Sequence, residues 1–308
     1  MIGPIVVLGT SSGLPVKGRN TSACAVKVGS ELVLFDCGEA TQHQLRRAGL
    51  KTSQIKNIFL SHLHGDHING LPGLLGGMSL RKGDRKELNL FGPPGLKRYV
   101  DTLKLLKICE PKFKIEVTEI EEEEPSILFS DEKYTVTSAA LSHRIPCFGY
   151  CLKETERPRP LLVEEAVRLG VPAGPLFGNL KRGESVILED GTVVDPEQVL
   201  GEKPKSMSFA YCTDTTYLPE RVKELAHRAD LLLHEATYGP DQEEKATDHG
   251  HSTTEQAAKV AKFADVKTLF LTHFSPRYSD SELEELVKQA QSIFPQTFLA
   301  HDLEDLVP

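Results

Sequence analysis

Short apolar runs that end in polar loops recur along the chain. "PIVVLGT", "CAVKV", "LVLFDCG", "NIFLSH", "LNLFGPPG" and "FKIEVTEI" have the length and composition of strands. So do "YTVTSAALSH", "FGYCLK", "SFAYCTD", "LLLHEAT", "TLFLTHFS" and "TFLAHD". Helical spacing of apolar positions predicts helices in "EATQHQLRRAG", "GLKRYVDTLKLLKI", "PERVKELAHRADLL", "TTEQAAKVAKFADV" and "DSELEELVKQAQSIF". Strands dominate the first half and helices interleave throughout, which is the pattern of a layered α/β protein. The stretch from Lys153 to Lys205 is different. It is rich in Pro and Gly and lies between two strands that end on candidate site residues, so it reads as an insertion projecting from a single domain of residues 1–308.

Composition narrows the class. At 308 residues, 39% hydrophobic and 26% charged, the chain can bury a large core. No apolar run approaches the ~20 residues of a membrane span. The start, "MIGPIVVLGT", lacks a basic n-region and reads as a buried strand of a cytoplasmic protein. Six cysteines with no CxxC pair argue against a disulfide framework. A net charge of −8 argues against a general nucleic-acid surface, and no DNA or membrane partner is expected. It leaves room for a local basic patch, or for bound cations that reverse the field at one site.

The chemistry concentrates in "SHLHGDHINGLPGLL", where His62, His64, Asp66 and His67 fall within six residues after a strand. Other strands also end on a ligand type: "TVTSAALS" at His143, "SFAYCT" at Asp214 and "TLFLT" at His273. Strand ends can gather at one sheet edge. Imidazole and carboxylate together suit Zn²⁺ and similar ions, with Mn²⁺ or Co²⁺ as substitutes. Seven ligands with one carboxylate shared would hold two metals: His62, His64, His143 and Asp214 one, and Asp66, His67, Asp214 and His273 the other. Such a pair can activate water and clamp a phosphodiester. Asp36 has two available roles, orienting a ligand histidine or capping the helix that begins near Glu39. His251 precedes a helix that Ser252 or Thr253 can cap, with Glu255 or Gln256 completing a capping box. Glu235 ends a buried strand and could hydrogen-bond that imidazole, giving a Glu235–His251 pair that acts as general acid. His234 should point to the opposite face. His43, His227, His249 and His301 have no motif company and read as structural.

The sequence His-x-His-x-Asp-His after a buried strand resembles the metallo-β-lactamase superfamily. "GTSSGLPVKGRN", "HRIPCFGY", "LLLHEAT", "HSTTEQAA" and "LTHFSPRY" resemble, more closely, ribonuclease Z, the tRNA 3′-processing endonucleases. The resemblance spans nearly the whole chain. It implies an αββα four-layer sandwich with a protruding exosite arm at 153–205 that grips the tRNA elbow, and a homodimer in which one subunit's arm serves the partner's site. It implies that Asp66 both binds metal and takes a proton from water. It maps Pro15, Lys17, Arg19 and Asn20 onto a loop near the RNA 3′ end, and Gly174 and Pro175 onto the arm's Gly-Pro segment. The chain departs from the family in two places. The arm carries eight Lys/Arg against ten Asp/Glu, which leaves RNA contact to a local cluster such as Lys181 and Arg182. Thr213 stands where the family often has Gly before the aspartate, so a small backbone adjustment is expected there.

Three functions compete on these grounds. The first is a zinc-dependent endonuclease that cuts precursor tRNA after the discriminator nucleotide and leaves a 3′-hydroxyl for CCA addition. The second is a hydrolase of small phosphodiesters or sulfate esters. The third is a metal-poor RNA-binding protein. The intact ligand set disfavours the third, and the arm, needless for a small substrate, disfavours the second.

Overall fold

The structure, a computed structural model, describes residues 2–80 and 87–306. It has two compact units, 1–153 with 207–308, and 154–206.

The larger unit holds two sheets. The first runs β1 (Ile2–Gly9), β2 (Ala23–Val28), β3 (Glu31–Phe35), β4 (Ile55–Phe59), β5 (Glu87–Gly92) and β6 (Lys114–Glu119), in that spatial order. The strands of the second are β7 (Ser126–Ser130), β8 (Tyr134–Leu141), β9 (Cys147–Glu154), β12 (Ser208–Cys212), β13 (Leu231–Glu235), β14 (Thr268–Thr272) and β15 (Thr297–Leu299). Their order is β15-β14-β13-β12-β9-β8-β7. Strands β3 to β6 are parallel, as are β12 to β15.

Side-chain alternation sets the layers. In β3, Val33 and Phe35 join a core shared with Phe209 and Tyr211 of β12 and Leu231 and Leu233 of β13; this is the filling between the sheets. Leu32 and Leu34 point the other way, into a second core. Helices α1 (Thr41–Arg47), α3 (Leu71–Leu80) and α4 (Leu96–Leu105) supply its far side, after the single turn α2 (Gly65–Ile68). Ala210, Leu232, Leu269 and Leu271 face a third core with α8 (Pro219–Ala226), α10 (Thr254–Phe263) and α11 (Asp280–Gln291); α9 (Glu243–His249) precedes α10. The result is the expected αββα sandwich. Strands buried on both faces explain why their sequences are continuous apolar runs.

The smaller unit is folded in its own right. It contains α5 (Val163–Arg168), α6 (Pro175–Lys181), the hairpin β10 (Val186–Ile187) and β11 (Val193–Val194), and α7 (Pro196–Val199). Its core is small: Ala166, Val171, Leu180, Val186, Val194 and Val199. Gly174 adopts φ 150°, a conformation open essentially to glycine alone, and Pro175 follows at the first helical position.

In the larger unit, three elements longer than a single turn were not expected from sequence. Helix α3, "LPGLLGGMSL", is apolar around its circumference and carries three glycines, so it has neither polar face nor helix propensity to reveal it. Strand β7 is short and half-buried, and α9 is polar. Among the described residues no helix is long and apolar enough to cross a membrane.

Candidate metal centre

The loops that leave β4, β8, β12 and β14 meet at one edge of the sandwich and carry the seven expected side chains to one spot. His62 Nε2 lies 3.0 Å from His64 Nδ1, which lies 3.2 Å from His143 Nε2. His67 Nε2 lies 3.2 Å from His273 Nε2, and both face Asp66 Oδ2 at 3.4 and 3.3 Å. Asp214 stands between the two groups with its oxygens divided. Oδ2 faces His62 at 3.4 Å and His143 at 3.8 Å; Oδ1 faces His67 at 3.4 Å and His273 at 3.2 Å. Asp214 therefore lies between the His62–His143 side and the His67–His273 side of the cluster. The donor atoms of His62, His64, His143 and Asp214 group together, as do those of Asp66, His67 and His273, and those of Asp214, His251 and His273.

The backbone turns these side chains inward by unusual means. Asp36, Asp214 and His273 have φ of 58°, 52° and 59°. Each sits in a left-handed bend just past a strand end, and Asp and His are among the few residue types that tolerate that region. Thr213 Oγ1 donates to Asp214 Oδ1 at 2.9 Å. Close approach of backbones packs the floor beneath. A Cβ on Gly70 would sit 1.9 Å from the Gly38 carbonyl oxygen, and one on Gly38 would sit 2.4 Å from that of Asp66.

Hydrogen bonds behind the histidines fix which nitrogen is bare. His67 Nδ1 donates to Asp36 Oδ2 at 2.7 Å, and His143 Nδ1 to the Gly250 carbonyl at 2.8 Å. Ser61 Oγ gives its proton to Asp36, so it accepts from His62 Nδ1 at 2.9 Å. Thr237 Oγ1 gives its proton to Glu235, so it accepts from His273 Nδ1 at 2.9 Å. Four imidazoles thus aim bare Nε2 lone pairs at the same volume as Nδ1 of His64 and the carboxylates of Asp66 and Asp214. Lone pairs facing lone pairs at these distances repel unless a cation lies between them. The donor set fits divalent metal.

Electrostatics agree. Burial, reinforced by the charge on His67, pushes His62 down to about 2. Burial and neighbouring imidazoles also hold His64 and His143 low, the neutral form a ligand needs. Burial alone would raise Asp66 and Asp214, but the surrounding imidazoles hold both far below the usual carboxylate range. His67 is the exception: burial disfavours its charge, yet Asp214, Asp36 and Asp66 outweigh that and raise its pKa.

Of the two roles open to Asp36, the structure selects the first. It accepts from Ser61 N, Ser61 Oγ, His67 Nδ1 and Tyr211 OH, and the N-cap of α1 is Ala40, with no side-chain cap. Beside the ligands, His251 Nδ1 lies 2.9 Å from Glu235 Oε1. Burial opposes the imidazolium, the Glu235 carboxylate overrides it, and the His251 pKa is pushed up to about 9. Thr253 and Gln256 form the capping box of the helix behind it. His234 points away from the centre, with Nδ1 on the Glu235 carbonyl. His43, His227, His249 and His301 lie outside the ligand groups.

The loop after β1 reaches the same edge. Gly13 N–H donates to Asp66 Oδ2 at 2.7 Å. Pro15 and Lys17 are exposed, while Arg19 and Asn20 serve the loop itself. Arg19 Nη2 donates to the Tyr278 carbonyl, Asn20 N to Asp302, and Asn20 Nδ2 to the Glu39 carbonyl. In the smaller unit, Lys181 is exposed and Arg182 pairs with Glu184 at 3.1 Å. A pocket of about 320 Å³ opens over the centre, lined by His64, Asp66, Asp214, His251 and His273. Sequence reasoning missed Arg144, which also lines it; its place directly after His143 was the available signal.

Replacing Asp36 with Asn leaves a neutral group opposite the His67 and Tyr211 donors. Metal affinity at the His67 site should fall ~10–100-fold, measured by chelator competition. Unchanged affinity would mean that His67 is oriented by packing alone.

Comparison with known proteins agrees with the geometry. The Anti-Pycsar protein Apyc1 family model matches residues 4–108, and the Beta-lactamase superfamily domain matches residues 199–274. Ribonuclease Z of Acaryochloris marina is 45% identical over 97% of this chain and 95% of that protein. The same figures hold for ribonuclease Z of Brevibacillus brevis. The crystal structure of human tRNase Z, short form, superposes with a TM-score of 0.71 at 30% identity, covering 99% of each chain. The chain belongs to the ribonuclease Z family, metal-dependent endoribonucleases of the metallo-β-lactamase fold.

Proposed function

We propose that the protein removes the 3′ trailer of precursor tRNA, hydrolysing the phosphodiester after the discriminator nucleotide and leaving a 3′-hydroxyl. The observation that carries this reading is the division of the Asp214 oxygens between two imidazole groups beside a separate Glu235–His251 pair. His62, His64, His143 and Asp214 would hold one metal, and Asp66, His67, His273 and Asp214 the other. A bound pair of ions lowers the pKa of water and offsets charge on a phosphodiester. Zinc, the homodimer and the cytoplasmic setting belong to this reading, zinc supported by the imidazole and carboxylate donor set and the homodimer by family resemblance alone.

The remaining roles fall to the chain's own groups. Asp66, oriented by Gly13 N–H, takes the proton of the attacking water. His251, held protonated by Glu235, gives a proton to the departing ribose 3′-oxygen. Pro15 and Lys17 contact the RNA end directly, and Arg19 and Asn20 shape the loop that presents them. In the arm, Gly174 and Pro175 set the turn before α6, and Lys181 and Arg182 meet backbone phosphates.

Incubation of the purified protein with a precursor tRNA, with the cut mapped to the nucleotide, tests the assignment. A 3′-hydroxyl at the discriminator is expected, and cleavage elsewhere or none would refute it.

His251→Ala should lower kcat on precursor tRNA by about 10²–10⁴ and retain metal content. Hydrolysis of a nitrophenyl phosphodiester, whose leaving group needs no proton, should be much less affected. Equal losses on both substrates would remove His251 from the acid role.

Deleting Leu161 to Lys203 should weaken tRNA binding while nitrophenyl phosphodiester hydrolysis survives, since remote contacts serve positioning. Intact-protein binding should also weaken as salt rises. Precursor processing at the intact rate by the deletion variant would exclude an exosite there.

A further inference from the structure

Each ligand histidine that presents Nε2 has its own acceptor behind it. Three of these acceptors make no hydrogen bond to the Glu235–His251 pair: Asp36 for His67, the Gly250 carbonyl for His143, and Ser61 for His62. The fourth, Thr237 behind His273, differs because it also belongs to the Glu235–His251 pair. Its side chain is buried.

A hydroxyl has one proton and two lone pairs. The Thr237 proton is committed to Glu235 Oε2 at 2.7 Å, and Thr237 N–H donates to the same oxygen at 3.0 Å. The Thr237 oxygen is then only an acceptor. One lone pair takes His273 Nδ1–H at 2.9 Å, and the other faces His251 Nδ1 at 3.3 Å. The other carboxylate oxygen, Oε1, accepts from His251 Nδ1 and from Thr215 N, each at 2.9 Å. One buried hydroxyl therefore relays the Glu235 charge to a metal ligand, while Glu235 itself holds the proton donor.

We infer that Thr237 is a positioning residue: its hydroxyl fixes His273 in the Nδ1–H tautomer and joins that ligand to the Glu235–His251 pair. This rests on the metal-centre reading above. Without the hydroxyl, His273 Nδ1–H loses its partner in a buried place. The ring then relieves the penalty by moving its proton to Nε2, where it covers the lone pair that should meet the ion. Of the two ligand groups, only the one containing His273 is affected. Valine matches threonine in shape and lacks the hydroxyl, whereas serine keeps the hydroxyl and lacks the methyl.

The experiment titrates Zn²⁺ against a chromophoric chelator for the wild type, Thr237→Val and Thr237→Ser. The wild-type curve measures the two-site reading by itself. Thr237→Val should weaken one of the two sites ~10–100-fold and leave the other unchanged, with Thr237→Ser close to the wild type. Valine affinities equal to the wild type at both sites, or a serine variant as weak as the valine one, would overturn the assignment. A measurement on the unaltered protein stands even if the valine variant does not fold. Long-range ¹H–¹⁵N spectra should find the proton of His273 on Nδ1, and a proton on Nε2 would overturn the inference equally.

Discussion

Five imidazole nitrogens and two carboxylates aimed at one small volume repel one another unless positive charge occupies it. That constraint organises the edge of the sandwich. Each Nε2 lone pair is bare only because an acceptor behind the ring holds the Nδ1 proton, so Asp36, Ser61, Thr237 and the Gly250 carbonyl are as necessary as the ligands. Three carboxylates, Asp36, Asp66 and Asp214, surround His67 and supply the negative field that a cation would neutralise. The apolar layers matter here chiefly as rigid mounts, since an error of a few tenths of an ångström in any ring would spoil the convergence.

The mounts are strand ends. β3 and β4 in one sheet and β12, β13 and β14 in the other are parallel, so their carboxyl ends open toward common edges. A strand that simply continued would carry its next side chain above or below its sheet. The left-handed bends at Asp36, Asp214 and His273 break that alternation and swing the side chain into the gap. Such a residue costs about 1–3 kcal/mol, and the hydrogen bonds around it must hold it there. Asp36, with four donors, shows how: the interactions that orient His67 also stabilise the bend that presents Asp36.

Much of this was legible in the sequence, and the reason is local. The apolar runs marked the strands, and His62 to His67 marked the centre, because ligand density and burial are both written in composition. His143, Asp214 and His273 were legible as strand-terminal residues that gather with that cluster. Less visible was anything set by backbone dihedrals or by hydrogen-bond direction. No pattern announces that Asp36 adopts positive φ, so its two roles stayed equal until the structure separated them. Arg19 and Asn20 were placed near the RNA 3′ end by the family resemblance alone, and no sequence pattern announces that Arg19 Nη2 donates to the Tyr278 carbonyl or that Asn20 donates to Asp302 and Glu39. Helix α3 was hidden because an all-round apolar helix has no period to detect.

The distribution of charge explains how an acidic chain can serve a polyanionic substrate. With a formal net charge of −8, long-range attraction to RNA is weak, and the carboxylates at the centre repel phosphate on their own. Positive charge therefore has to be local. Within the larger unit it comes from exposed Lys17 on the loop after β1 and from Arg144 at the pocket wall. Cations held by the ligand groups would add to it and reverse the field where the phosphate must sit. An arrangement of this kind discriminates by register. A phosphate that reached the centre would meet the favourable potential that such cations supply. Selectivity for one bond in a long RNA would then rest on how the substrate is held and not on sequence reading by the site.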